Sequence, residues 1–302
     1  MTTQTVGGRE PRRGLPDRAF GFLLTLPALV LFVAIVLYPL IASLTTSLFN
    51  QSLVLPGRSF AGLENFRSVL AGQFWSVLRN TLVFTGACTL IPFVLGFGLA
   101  LALHTRLPGR GLLRGLFLFP WVIPGVVVSF LWMWIFNANY GLLNGLLVQL
   151  GLLDEPISWL GQPGTATLAV IVAKSWASFP WMMVMLLAGL QTVPQTLHEA
   201  AALDGAGTLR RFWHVTLPHL RGIIGVVLLL EAIWNFQHFD IIYVLTGGGP
   251  AGATTTFAVS VYDTAFKGFD LGRAGALGAL WMVLLSILVV GYVWASERGE
   301  KR

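Results

Sequence analysis

Charge is what this chain has least of. Only 11% of its 302 residues are Asp, Glu, Lys or Arg, while 55% are hydrophobic, and the mean hydropathy is +0.75. Soluble domains carry roughly 25% charged residues, so that class is excluded and an integral membrane protein is expected. Cysteine is almost missing as well. Cys88 stands alone inside an apolar run, which excludes an intrachain disulfide and a thiolate metal cluster and leaves it a packing role. The five histidines, His104, His198, His214, His219 and His238, follow no HExxH or other metal-ligating spacing. No GxSxG elbow or close Ser/His/Asp grouping supports hydrolysis. The phosphate loop GxxxxGK[ST] is absent too, because the glycine run 247–249 lacks the lysine and hydroxyl residue that hold phosphate and magnesium. No catalytic, metal or cofactor site is therefore expected in this chain, and if ATP drives it, another subunit binds the nucleotide.

What the chain has in quantity is long apolar runs. A bilayer crossing needs about 20 largely apolar residues. Cutting the sequence at its charged clusters predicts six transmembrane helices, near 20–44, 80–103, 112–136, 165–190, 222–245 and 274–295, in an all-α fold. Residues 1–19 mix Gly, Pro, Arg and Thr without apolar periodicity and read as a disordered tail. The remaining 20–302 read as one transmembrane domain, with no solenoid repeat and no second soluble unit. The first run is too long for a signal peptide and lacks a small-residue cleavage pattern.

Thirteen of the 19 basic residues fall on one side of this topology: Arg9, Arg12, Arg13 and Arg18; Arg106, Arg110 and Arg114; Arg210, Arg211 and Arg221; Arg298, Lys301 and Arg302. The other side holds Arg58, Arg67, Arg79, Lys267 and Arg273, together with Asp154 and Glu155. The positive-inside rule then puts both termini in the cytoplasm. The net charge of +6 follows from membrane topology and implies lipid, not nucleic acid, as the surrounding partner. On the outer side, the amphipathic piece 63–70 predicts a short surface helix. Pro120 and Pro124, in LFLFPWVIPG, predict a bend in the third crossing.

Residues 199–220 read EAAALDGAGTLRRFWHVTLPHL. Pro194 suits the first turn of a helix and Gly205 and Gly207 its end, while Thr208 can cap a second helix that stops near Pro218. A cytoplasmic helical hairpin over 194–220 is expected, either a docking surface or a plain solvated connection. Within the spans the ionisable residues are Lys174, Glu231 and Asp240, which are costly in lipid and face a bundle interior or a wet cavity. At 100° per residue Glu231, Asn235 and His238 fall within an arc of about 60° on the fifth span, with Trp234 beside them and Asp240 opposite. Lys174, Ser178, Trp181 and Met185 share a face of the fourth. Polar groups beside aromatic rings suit a sugar, with its hydroxyls and apolar C–H faces; an ion site needs a tighter cluster of oxygens or charge. The alternative is structural: Lys174 pairs with Glu231 or Asp240, and Trp181 packs.

The run Glu199, Ala200, Ala201, Asp204, Gly205, Ala206, Phe212, Leu217, Pro218 and Leu220 resembles the cytoplasmic EAA loop of permease subunits from binding-protein-dependent ABC importers. Gly222 departs from it, since many relatives carry proline there. Arg79-Asn80-Thr81-Leu82, Gly141-Leu142-Leu143-Asn144, Leu187-Ala188-Gly189-Leu190-Gln191 and Thr246-Gly247-Gly248-Gly249-Pro250 extend the resemblance over about 76–290. They are similar to the maltose and glycerol-3-phosphate type of sugar-importer permease, the first of two paired permeases. The resemblance implies the type I ABC importer permease fold in a bacterial or archaeal cytoplasmic (inner) membrane. It implies a second permease, two ATPase subunits that hold ATP and Mg, and an extracytoplasmic sugar-binding protein. In that family the EAA hairpin sits in an ATPase groove, with Glu199 near basic groups, Gly205 allowing the turn and Asp204 helping to fix it. An ion-coupled carrier using Lys174, Glu231 and Asp240, or a scaffold that recruits a partner without moving solute, accounts for fewer of these segments.

Overall fold

Helix length and apolar content decide what can cross a bilayer, and the computed structural model, which describes residues 17–105 and 108–300, has five helices that meet both requirements. The first crossing, Leu24–Thr46, is built from α1 (Asp17–Phe32), a π-helical turn (Val33–Leu37) and α2 (Tyr38–Thr46). Of the expected tail, residues 1–16 lie outside the described residues, and 17–19 already belong to α1. A short antiparallel pair follows, β1 (Phe49–Gln51) and β2 (Arg58–Phe60), with Phe49 opposite Phe60. It qualifies the all-α expectation: three-residue strands are too short to show an alternating pattern. The surface helix α3 (Glu64–Ala71) lies where the amphipathic piece predicted it, and buried Asn65 ties it to the strands by donating to Ser47 O (2.9 Å) and Phe49 O (3.0 Å).

The second crossing, α4 (Phe74–His104), starts six residues before the predicted 80. The third is not one straight helix. α5 (Arg110–Val122) and α6 (Gly125–Ile135) meet at 94°. Pro124 offers no N–H to continue the ladder, and it forces Ile123 into an extended conformation, ψ 132°. Packing still makes the pair a single broken crossing. Leu113 and Phe117 of α5 pack against the cluster around Met182 and Leu186, in the second half of α8 (Pro163–Gln191), while Val128 of α6 packs with Ala169 and Val170 in its first half. Between α6 and α8 lies α7 (Leu142–Gln149).

After α8 come α9 (Gln195–Leu203), α10 (Thr208–Arg211), a π-helical turn (Phe212–Thr216) and α11 (Leu217–Phe236). Two expectations are corrected here. The second arm of the hairpin does not stop near Pro218: Thr208–Phe236 is one continuous span. The π-helical turn explains why. Leu217 N–H already bonds back to Phe212 O, so the register has slipped by one residue before Pro218, which has no N–H, enters the helix. Pro39 is accommodated in the same way, with Tyr38 N–H bonded to Val33 O. The fifth crossing also ends at Phe236, short of the predicted 245, and a separate helix α12 (Asp240–Thr246) follows. α13 (Phe257–Tyr262), a π-helical turn (Asp263–Lys267) and the last crossing α14 (Leu271–Glu300) complete the described residues.

α8 is the axis of the bundle, and α4 lies along it. Gly96 permits that approach, since a Cβ there would stand 2.7 Å from both Met182 Cβ and Met183 N. Helix α2 instead rests on α14, and no part of the first crossing's apolar window is buried.

Candidate functional site: a buried polar cavity and an exposed hairpin

The break between α5 and α6 opens a cavity beside α8 and α11. Its volume is about 140 Å3. Pro120, Trp121, Ile123 and Gly125 form one wall, Lys174, Ser178 and Trp181 of α8 a second, and Glu231, Trp234 and His238 a third. The two faces expected from helical spacing therefore meet. Lys174 Nζ stands 3.5 Å from Glu231 Oε1, both side chains nearly sealed from solvent, and donates to Ser178 Oγ. Asn235 Nδ2 donates to Glu231 Oε1 and to Thr89 Oγ1, 3.2 Å each, which ties α11 to α4. Trp181 and Trp234 meet edge to face, their ring centroids 4.8 Å apart.

The structure departs from the expected faces in three places. His238 lies beyond the end of α11, yet the chain turns there, with His238 N–H on Asn235 O, and carries the ring to the cavity, where it stacks with Phe84. Met185 does not line the cavity, and neither does Asn235, which lies behind it on Glu231 and Thr89; Asp240, expected opposite, is exposed at the start of α12. The bend at Pro120 and Pro124 is the part of this wall that the sequence announces; Trp121 on the wall and Thr89 as the partner of Asn235 carry no such signal, because nothing in a span's own periodicity reveals which neighbour faces it. The structural alternative for Lys174 is realised, since it pairs with Glu231; the pair nevertheless lies on a cavity wall. Ligand pockets occupy roughly 300 Å3 or more, so this chain alone encloses too little. On the open side Trp121 and Trp234 are half exposed.

At one end of the bundle the hairpin has the opposite character. Glu199, Ala200, Asp204 and Pro218 are exposed, Ala201, Ala206 and Phe212 half-buried, and Leu203, Leu209 and Trp213 show large apolar surfaces. The turn closes by main-chain bonds: Ala206 N–H to Ala201 O (2.9 Å) and Gly205 N–H to Ala202 O (3.0 Å), with Gly205 at φ +77°. This is the helix ending that glycine alone adopts without strain. Asp204 contributes its N–H to Ala200 O. Thr208 does not cap the second arm as expected: Gly207 holds the cap position, and Thr208 is the first helical residue. Phe212 reaches back to Phe97 of α4, centroids 6.0 Å apart.

The other singled-out segments have structural work. Asn80 donates to Gly252 O (2.9 Å) and Thr255 O (3.2 Å), and Thr81 Oγ1 accepts from Phe257 N–H (3.1 Å), so the start of α4 clamps the glycine turn near 250. Asn144 bonds Ala138 O, both main-chain groups of Ile157, and Trp159 Nε1. Gly189 lets α8 approach Leu220 and Ile223 of α11.

The family described as binding-protein-dependent transport system inner membrane component matches residues 93–298. Over 277 residues the chain is 39% identical to the trehalose/maltose transport system permease protein MalF of Thermococcus litoralis, covering 91% of this chain and 92% of that protein. It is 37% identical over 284 residues to the sulfoquinovosyl glycerol transport system permease protein SmoG of Agrobacterium fabrum, covering 92% and 91%. A chain of the bacterial alginate ABC transporter, solved in complex with an alginate pentasaccharide-bound periplasmic protein, shares the fold at TM-score 0.79 and 22% identity, covering 93% of this chain and 96% of that one.

Proposed function

Since the chain belongs to the binding-protein-dependent transport system inner membrane components and is an ABC importer permease subunit, we propose that it passes a sugar or sugar derivative through the cavity beside α8 and α11. The path residues are Lys174, Ser178, Trp181, Glu231, Asn235 and His238. Both termini and the hairpin face the cytoplasm, consistent with the thirteen basic residues on that side. A second permease closes the open side of the cavity at Trp121 and Trp234. A sugar-binding protein delivers from outside. Two separate ATPase subunits bind ATP and Mg, and one receives the hairpin through Glu199, Ala200, Ala201, Asp204, Gly205, Ala206, Phe212 and Pro218.

The observation that carries this reading is the unbroken span Thr208–Phe236. Its first turns are the second arm of the exposed hairpin; its last carry Glu231 and Asn235. From Phe212 to Glu231 is about 28 Å of helix at 1.5 Å per residue. A rigid helix carries a displacement over that length, which a loose loop would absorb. ATP-driven closure of the ATPases moves the docked hairpins, tilts α11 against α8 and turns the cavity outward; hydrolysis resets it. Work is coupled only if the ATP-bound, docked state favours one arrangement of the spans over the other.

The test is reconstitution of the two permeases and the ATPase in liposomes, with the binding protein outside and labelled sugar as cargo. Accumulation that requires ATP, and a change of selectivity among sugars in Asn235→Ala or Trp181→Ala, are expected. Accumulation that persists without ATP and collapses with the proton gradient would assign the chain to ion-coupled carriers instead. Unchanged kinetics for cognate sugar and analogues in both variants would remove the lining assignment.

A further inference from the structure

The charges on the cavity wall cancel. Its ionisable lining residues, among the described residues, are Lys174, Glu231 and His238. Lys174 is 9% exposed and Glu231 2%, and the 3.5 Å between them leaves neither charge uncompensated. Glu231 Oε1 also accepts from Asn235, and Lys174 also donates to Ser178, so the pair is held in place from both helices. Outside the lining stands another negative group: the exposed Asp240 lies behind Gly125, where a Cβ would be 3.6 Å from its Oδ2. Lining the cavity there are thus one cation already spoken for, one anion and three indole rings, with a further anion, Asp240, exposed behind Gly125.

An anionic sugar entering this space would have to break Lys174 away from Glu231, leaving a buried carboxylate unpaired, or remain uncompensated beside the Glu231 carboxylate. Both are costly in a low-dielectric interior. A neutral sugar meets neither penalty, and can lie against Trp181 and Trp234. We propose that the Lys174–Glu231 pair is a charge filter, which restricts the cavity to uncharged glycosides and turns away sugar acids, sulfonates and phosphates. This rests on the reading of the cavity as a sugar path and adds the substrate's charge class and the two residues that set it.

The experiment is equilibrium dialysis of the complete purified importer, both permeases and ATPases in nanodiscs, against radiolabelled maltose, trehalose and a glucuronyl-glucose disaccharide. The wild type is expected to retain a neutral disaccharide at least about tenfold more tightly than the acid. Glu231→Gln keeps the shape but frees the lysine charge, and is expected to shift the preference towards the acid by tenfold or more. Lys174→Gln is expected to shift it the other way. The double variant, with no pair to break and no Glu231 carboxylate to repel an acid, is expected to lose most of the wild-type preference. Equal retention of acid and neutral sugar by the wild type overturns the filter, as does an unmoved preference in an assembled Glu231→Gln. If that variant fails to assemble, the wild type and the double variant decide, and a double variant that keeps the full wild-type preference also overturns it. Saturable binding with the wrong charge preference removes only the filter; no saturable binding of any sugar counts against the sugar path, and the filter falls with it.

Discussion

At the hairpin Leu203 is 90% exposed and Leu209 72%, yet farther along the helix that begins there Glu231 is 2% exposed. One end of α10–α11 shows apolar side chains on its surface and the other hides a carboxylate in the bundle. The two inversions are resolved differently. Buried charges find their partner within the chain, Lys174 on α8. The exposed leucines, on a hairpin whose turn is satisfied by its own main chain, are not covered by any of the described residues, which suits the docking proposed for them. Regions of opposite burial, joined by one stiff element, are what the proposed transfer of energy from a docked subunit to an interior path requires.

The largest effect is expected where the cavity side is broken. Glu231→Ala leaves Lys174 buried without its counter-charge, which costs about 3–5 kcal/mol. Lys174→Met added to it is expected to recover most of that loss, measured as thermal unfolding of the detergent-purified subunit. A double variant no more stable than the single would mean that the pair does not govern the cavity's stability. On the hairpin side Gly205→Pro meets a φ of +77° with a ring that fixes φ near −65°. A cost of about 3 kcal/mol corresponds to more than a hundredfold in correctly formed hairpin. Here the readout is association, not unfolding: co-purification with the ATPase and uptake are both expected to fail while the subunit still inserts, and Glu199→Lys to act in the same direction. Full co-purification and uptake in both would detach the hairpin from docking.

These two regions were not equally legible in the sequence. The hairpin was readable because its signals are local: glycine spacing, a polar run between apolar ones, and the EAA pattern lie within about 25 consecutive residues. The faces of α8 and α11 were readable from the 3.6-residue period, and the structure brings Lys174, Ser178, Trp181 and Glu231 together as that period implies. What escaped were features set by two elements at once. The 94° break was visible only as two prolines, since its angle depends on packing against α8. The passage of the helix through Pro218 depends on a π-helical turn, which residue types do not announce. The three-residue strands carry too few positions for any period.

A smaller effect is expected where the two regions touch. A Cβ on Gly189 would stand 3.1 Å from Ile223 Cγ2 and Leu220 Cδ2, near the hairpin end of the α8–α11 contact. Both are side-chain ends that can yield, so Gly189→Ala is expected to cost about 1–3 kcal/mol by overpacking. If the hairpin drives α11 against α8, wedging this contact lowers sugar moved per ATP hydrolysed more than it lowers stability. Transport that falls only in proportion to the amount of folded protein would show that the contact is packing alone and that the two regions communicate by another route.

The smallest effect tests the joint itself. Gly222 lies in the first turns of α11, exposed, with nothing within 4 Å of where its Cβ would be. A glycine inside a helix loses more backbone freedom on folding than alanine, so Gly222→Ala is expected to stabilise by up to about 1 kcal/mol with no steric cost. A rigid transmission predicts that this stiffer helix keeps or slightly raises the sugar-to-ATP ratio in liposomes, while the unfolding temperature rises. A hinge at Gly222 predicts the reverse: greater stability, but a lower ratio, because the hairpin's motion would then need the flexibility that alanine removes. The direction of that ratio decides whether the exposed and buried ends of this helix move as one body.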